Sequence, residues 1–193
     1  MNIVDTFPAA EPVTLQQARA HLKLDVVDGV HPEDSLVTDL IYAAREHIEQ
    51  LTQTIVAERS VTISLYDFTG DELNLGIAPV KSVTTVMYEA YPNGYMTLPA
   101  AAYKLDASKP AKLLANMPFP ATVGRSGSVT VGVVAGYAPA DCPKSLKQAI
   151  LLLVGHWYEN REAVQDAASS RTPVELPKGV DALLAPYRLG MGL

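Results

Sequence analysis

The side chains that could do chemistry are few and widely spaced. The chain has 193 residues, and its histidines are His21, His31, His47 and His156, with Cys142 as the one cysteine. Catalysis needs titratable groups brought within hydrogen-bond reach of one another. No two of these histidines have the i, i+4 spacing that lets one helix face hold a metal ion, and Cys142 has no neighbouring Cys or His to complete a ligand pair. Each therefore reads as an ordinary surface or packed residue. The loop Gly124-Arg125-Ser126-Gly127-Ser128 has the composition of a phosphate cradle. It lacks the Lys-Ser/Thr ending, however, and leads into a strand pattern rather than a helix, so it reads as a strand connection. Asp141 and Glu159 could form a carboxylate pair, but nothing in the sequence brings them together. The expectation is a protein that is not an enzyme, with no catalytic residues, no metal and no cofactor.

The densest local cluster is His156-Trp157-Tyr158-Glu159-Asn160-Arg161-Glu162, which holds the only tryptophan. It has two readings. In one, Trp157 closes a core and the charged residues pair along a helix surface. In the other the cluster is a subunit interface, because Trp, Tyr and Arg are enriched where chains bury contacts on each other. Both can hold, and Ile150, Leu153, Trp157, Tyr158 and Arg161 are the candidates for interface or core.

Charge is unevenly distributed. The net charge is −6, yet residues 1–58 hold three basic side chains against ten acidic ones, residues 59–141 hold six against six, and residues 142–193 hold six against five. An acidic N-terminal third repels a phosphate backbone, which argues against direct nucleic-acid binding there. Simple solubility explains it equally well. With 48% hydrophobic residues the chain can build one ordinary core, so a single domain over 1–193 is expected. One cysteine allows no internal disulfide. The start Met-Asn-Ile-Val-Asp-Thr-Phe-Pro lacks the basic start and apolar run of a signal peptide. The longest apolar run, Ala149 to Val154, is six residues against the ~20 of a membrane span, so a soluble cytosolic protein is expected.

The elements that would position these residues follow from periodicity. Thr14 and Gln17 have the spacing of a capping box, with Val13 placed for a hydrophobic staple, and Leu15, Ala18 and Leu22 share a helix face. A longer helix should start near Pro32, with Glu33 and Asp34 in its first turn. Leu36, Leu40, Ile41, Ala44, Ile48 and Leu51 form its apolar side, and Asp39, Glu46 and Glu49 its acidic one. From Arg59 the period falls to two, with Val61, Ile63 and Leu65, then Leu73, Leu75 and Ile77. Val83, Thr85 and Met87 predict one face of a further strand. Pro92-Asn93-Gly94 predicts a turn back through Tyr95 to Leu98, and Val129, Val131, Val133 and Ala135 a last strand. Helical spacing resumes after Pro143, with Asp141 or Cys142 as cap. Leu146, Ala149, Ile150, Leu153 and Trp157 form one stripe, and Leu151, Leu152, Val154 and Tyr158 cover most of the rest, which predicts a helix apolar all round. Residues 165–179 read as a flexible connection, followed by a short helix from Val180 to Tyr187. The fold class expected is α+β: a helical core of two N-terminal helices, one long apolar helix and a short C-terminal helix, with one small antiparallel β-sheet inserted over about 59–141 and a C-terminal arm over about 165–193.

The runs Lys147-Gln148-Ala149-Ile150-Leu151-Leu152-Leu153-Val154-Gly155-His156-Trp157-Tyr158-Glu159-Asn160-Arg161-Glu162 and Glu175-Leu176-Pro177-Lys178-Gly179-Val180-Asp181-Ala182-Leu183-Leu184-Ala185-Pro186-Tyr187-Arg188 closely resemble the head-tail connector (adaptor) family of tailed phages, prophages and gene transfer agents. Pro12-Val13-Thr14-Leu15-Gln16-Gln17-Ala18 and Glu33-Asp34-Ser35-Leu36 resemble the same family. Its shorter members are almost wholly helical, so no role carries over to residues 59–141.

The resemblance implies a structural virion protein whose helical core assembles into a ring, often dodecameric, in some members only on assembly. The ring docks beneath the portal protein and presents its other face to a tail-side neck protein, a stopper or tail terminator. DNA would pass through without specific binding, and no membrane is involved. The location implied is the head-tail neck of the virion, with the bacterial host cytoplasm during assembly. On this reading Val180, Leu183, Leu184, Tyr187 and Arg188 are candidates for binding the portal or a neighbouring subunit, on a helix that orders or moves on docking. Asp39, Glu46 and Glu49 are candidates for a channel-facing acidic surface. Two alternatives stay open: another neck component, such as a stopper or tail-completion protein, and a small ligand-binding α+β domain.

Overall fold

The computed structural model describes residues 2–160 and 178–189, and these fall into two compact units. A helical unit holds residues 10–56, 138–160 and 178–189, and a sheet unit holds residues 2–9 and 57–137.

In the helical unit, α1 (Leu15–Leu22) starts as the Thr14–Gln17 spacing predicts: the Gln17 amide donates to the Thr14 hydroxyl and the Thr14 amide donates to Gln17 Oε1. Each bond satisfies a main-chain donor that a helix start leaves without a partner. It ends at Lys23, in the left-handed conformation. α2 (Asp34–Thr52) buries Val37, Ile41, Ala44, Ile48 and Thr52 along one stripe, with Arg45 buried beside them. Leu36, Leu40 and Leu51, expected on that stripe, are half-buried at its margins. α3 (Lys144–Glu159) packs on α2, on α1 and on α4 (Lys178–Leu184), which continues into a 3-10 turn at Ala185–Tyr187. Pro143, not Asp141 or Cys142, is the N-cap of α3, and no side chain caps it. Proline supplies the fixed φ that suits a helix start. None of the helices described is long and apolar enough to cross a membrane.

The sheet unit contains eight strands in two antiparallel sheets. They are β1 (Asn2–Asp5), β2 (Arg59–Leu65), β3 (Glu72–Asn74), β4 (Val80–Ala90), β5 (Gly94–Thr97), β6 (Tyr103–Asp106), β7 (Lys112–Ala115) and β8 (Val129–Ala135). The larger sheet has the order β1-β2-β8-β4-β5, and the smaller β3-β7-β6. β8 is central: Val129, Val131, Val133 and Ala135 are buried, with Val61 and Ile63 of β2 opposite Val133 and Val131.

The pairing with β4 departs from simple alternation. Register shifts between Val80 and Ser82 and between Val83 and Thr85 place Val80, Val83 and Val86 opposite Ala135, Val133 and Val131. Each bulge inserts one unpaired residue and re-phases the strand, so the predicted face Val83, Thr85 and Met87 is replaced by Val80, Val83 and Val86. Gly132 lies where this happens. A Cβ there would stand 2.7 Å from Thr84 Oγ1 and 2.9 Å from Thr85 Cγ2.

These findings overturn the expected fold class. In place of a helical core with one small inserted sheet, the described residues form four α-helices and eight strands in two sheets, and the sheets recruit β1 from outside residues 59–141. Nor is α3 apolar all round. Its buried residues form a stripe of Leu146, Ala149, Ile150, Leu153 and Val154, while Lys144, Gln148 and Glu159 are exposed. The arm expected over 165–193 lies largely outside the described residues.

Candidate functional site

Those residues singled out by the sequence that the structure describes lie on α2, α3 and the α4 segment, and most are held by identifiable contacts. Ile150 and Leu153 are fully buried, where α3 meets the other helices. Trp157 is half-buried, its indole meeting the His47 ring of α2 edge-on at a centroid separation of 5.8 Å. Such edge contacts set the electropositive rim of one ring against the face of the other. The Tyr158 hydroxyl donates to the Glu33 carboxylate at the start of α2. The last turn of α3 closes when Asn160 Nδ2 donates to the His156 carbonyl at 2.8 Å. Arg161 lies outside the described residues.

On α4, Val180 and Leu184 are fully buried, Leu183 and Tyr187 half-buried, and Arg188 exposed. The Tyr187 hydroxyl shares a hydrogen bond with Ser145 Oγ of α3 at 2.8 Å. Arg188 donates to Asp181 at 2.9 Å, and the Leu189 amide donates to the Thr52 carbonyl at 2.9 Å. A short helix that is marginal alone is thus held by its buried stripe and, after its C-terminal end, by hydrogen bonds to α3 and α2.

Of the three acids, Asp39 and Glu46 are exposed on α2. Glu49 is engaged within the unit: one oxygen accepts from Arg45 at 2.8 Å, the other from the Val56 amide at 2.7 Å. Arg45 also donates to Glu11 at 3.1 Å and to Glu46 at 3.3 Å. This nearly buried guanidinium fastens the segment before α1 and the segment after α2 to the middle of α2. The i, i+4 spacing of Arg45 and Glu49 is a sequence signal for half of it; Glu11, 34 residues away, has none.

A second cation, Arg19 of α1, pairs with Asp34 at the start of α2 and donates to the Gly29 carbonyl at 3.2 Å. The hydrogen bond from Arg19 holds the Asp34 carboxyl below the usual carboxylate range, with the His31 amide adding to it. Between them the chain folds into a tight turn in which Val27 and Val30 exchange main-chain hydrogen bonds, leaving Val26, Val27 and Val30 exposed.

The histidines and Cys142 do not come together in a reactive cluster. Among the described residues no group of three His, Cys, Asp or Glu could hold a metal ion. Burial pushes the Cys142 thiol up to about 11, which keeps it protonated at neutral pH.

The apolar surface left open lies mostly elsewhere. In the sheet unit, Ile3, Val4, Phe7, Tyr66, Tyr91, Tyr95, Met96, Met117 and Val123 are exposed. Phe68 stacks on Phe119 at 4.5 Å and leans on Tyr88. The sequence pointed to the region of α3 for an interface and held no sign of this set, whose members are scattered over loops and strand edges with no shared period.

Comparisons with known proteins bear on both units. Nothing among curated proteins matches the chain. Residues 122–188, which run from the strand connection before β8 through α4, match the family described as Phage gp6-like head-tail connector protein. Three solved structures contain chains of closely similar fold. One, of the neck of an empty GTA particle computed with C6 symmetry, has a chain 25% identical with a TM-score of 0.80. Another, of the neck of a native GTA particle computed with C12 symmetry, has one 25% identical with a TM-score of 0.75. The third, of the virion of a native gene transfer agent particle, has one 24% identical with a TM-score of 0.76. Each likeness covers 100% of this chain and 98% of the other. The head-tail connector resemblance carried by α3 and α4 is thus matched in sequence over residues 122–188, and the whole chain is similar in fold to a chain from the neck of a GTA particle.

Proposed function

We propose that this protein is a structural connector subunit of the neck, whose copies form a ring between the capsid portal and a tail-side protein. The observation that carries this is the full-length likeness, at a TM-score of 0.80, to a chain from the neck of a gene transfer agent particle. The connector match over residues 122–188 supports it independently. A contact repeated head to tail about an axis closes into a ring when its rotation divides the circle.

Within that reading, α4 is the portal-side element. Val180 and Leu184 anchor it within the helical unit, while Leu183, Tyr187 and Arg188 face the partner. Asp39 and Glu46 give α2 a negative outer face, which keeps passing DNA from adhering by like-charge repulsion.

The test is assembly without the protein. DNA-filled heads and free tails should accumulate unjoined, and the wild-type chain supplied in trans should restore joining. Full infectivity without it would overturn the reading. Pull-down with purified portal, compared with purified tail terminator, distinguishes a portal-docked connector from a neck component seated further down. Substitution of Asp39 and Glu46 by Lys should slow DNA ejection and leave head-tail joining intact.

A further inference from the structure

The five-stranded sheet is open at both ends, and the two ends are unlike. β1 forms one edge and β5 the other, with no strand beyond either among the described residues. The Thr6 amide donates to the Ser60 carbonyl at 3.1 Å, which fixes the phase of the β1–β2 ladder. Inward and outward bonding alternate along an antiparallel pair. Asn2 and Val4 therefore bond to β2, while Ile3 and Asp5 turn their amides and carbonyls outward. At the other edge the Leu98 amide donates to the Val86 carbonyl at 2.7 Å, so Gly94 and Met96 bond to β4 and Tyr95 and Thr97 turn outward. Both edges also carry exposed apolar side chains: Ile3 is 39% and Val4 59% exposed, Tyr95 59% and Met96 40%.

Strand direction limits what can fill these edges. Every neighbouring pair in the order β1-β2-β8-β4-β5 is antiparallel, so β1 and β5 run the same way. In a ring of many copies each is turned only slightly from the last, so strand direction is kept from one to the next. The β5 edge of one copy then meets the β1 edge of the next as a parallel pair. A two-fold dimer would instead join an edge to its own equivalent, antiparallel.

We infer that β1 of one copy adds to β5 of the adjacent copy, so that the larger sheet continues from subunit to subunit around the ring. Ile3 lies opposite Met96. Its amide donates to the Tyr95 carbonyl and its carbonyl accepts from the Thr97 amide, while the Asp5 amide donates to the Thr97 carbonyl. Pro99, next in phase, has no amide to offer, and the pairing stops there. Strand addition of this kind takes affinity from main-chain bonds and register from alternate side chains. The joint rests on the ring reading above. Four residues a side bury far less than the ~1,200 Å² of a stable interface, so it forms only between copies already held side by side on a portal.

The experiment uses the full chain assembled on the cognate portal. An Ile3→Cys/Met96→Cys double variant, mildly oxidised on the portal, should give a ladder of covalent multimers, and neither single variant should. Thr97→Pro removes an outward amide and leaves the inner ladder intact. It should keep the wild-type circular dichroism and portal binding yet lose closed rings in electron micrographs, and Tyr95→Lys should do the same. Rings that persist in both edge variants, with no ladder from the double variant, would overturn the joint and leave the connector reading standing. Dimers from Ile3→Cys alone would overturn it in favour of a two-fold contact. Wild-type chain that forms no ring on portal would end both readings.

Discussion

The helical and sheet units manage their apolar and charged groups in opposite ways. The helical unit closes on itself: stripes on α2, α3 and α4 are buried, and even Arg45 is drawn inward among Glu11, Glu46 and Glu49. Among its described residues the exposed large apolar ones are Val26, Val27, Val30 and Tyr42. The sheet unit leaves nine such residues open, among them Phe7 and Tyr91, and both edges of its larger sheet lack a partner strand among the described residues. Natural sheets blunt edges to avoid indiscriminate pairing. On the ring reading, edges that keep apolar side chains exposed, in a chain whose helical unit buries its own stripes, would place repeated association on the sheet. The sequence signature of the connector family is densest in the helices, so the region that most resembles the family and the region with the most open surface are different parts of the chain.

This contrast breaks most visibly at Arg45. Arg45→Met removes a nearly buried cation from Glu11 and Glu49, two carboxylates that are themselves largely buried, and breaking such a set by deleting one partner costs about 3–5 kcal/mol. Trp157, the sole tryptophan, lies in the helical unit and reports on it. Its fluorescence transition in urea should move to markedly lower denaturant, and adding Glu11→Gln and Glu49→Gln should recover most of the loss. The counterpart in the sheet unit is Gly136, which follows β8 with φ +97°, where a Cβ would stand 2.5 Å from the Ala57 carbonyl oxygen. Gly136→Ala should cost about 2–3 kcal/mol through strain and crowding. Far-UV dichroism, which follows the strands as well, should move more than Trp157 fluorescence. Equal movement of both probes in both variants would mean that the units unfold as one, and the contrast would not extend to stability.

How much was legible in the sequence follows the same division. The start of α1 was readable because capping is local: Thr14 and Gln17 are three residues apart and bond to each other. α2 and α3 start without a side-chain cap, and the cap expected for α3 at Asp141 or Cys142 fell instead on Pro143. β2 and β8 were readable because each buries alternate residues without interruption over most of its length. β1 was not, since all four of its residues are exposed and leave no pattern. The β6–β7 hairpin escaped because each strand is only four residues long, and β7 pairs on its other side with β3, about forty residues earlier. Local periodicity carries no trace of such pairings. The face of β4 was misassigned because two bulges shift its phase. At the candidate site, the α3–α4 run was legible as a resemblance, while the hub at Arg45 depended on Glu11, whose approach only the fold creates.

A smaller effect sharpens the contrast at the first helix. Thr14→Ala deletes a cap whose loss typically costs about 1 kcal/mol, and Gln17 cannot compensate, because its own reach back to the Thr14 amide leaves the Gln17 amide without an acceptor. Trp157 fluorescence should register the loss in urea, and Thr14→Ser should restore most of it. The sheet edges should be untouched, so cross-linking through Ile3→Cys and Met96→Cys on portal should proceed at the wild-type rate.

The smallest effect is one of pH, and it separates the units by charge alone. The Asp34 carboxyl is held below its ordinary 3.8, first by the Arg19 hydrogen bond and then by the His31 amide. A carboxyl depressed in the folded state binds its proton more readily when unfolded, so its contribution to stability is fully present above the unfolded value. That contribution is lost as pH falls through the lower folded value. Urea midpoints followed by Trp157 should therefore be insensitive to this group between pH 7 and 5 and should decline below about 4. Asp34→Asn should lower the midpoint slightly at pH 7 and flatten that acid decline, converging on the wild type at the lowest pH. Because Asp34 joins α1, the exposed Val27–Val30 turn and the start of α2, the variant should also speed amide exchange at Val27 and Val30. Unchanged exchange there, with the acid decline intact, would show that the pair is incidental and that the turn is held by its own main-chain bonds.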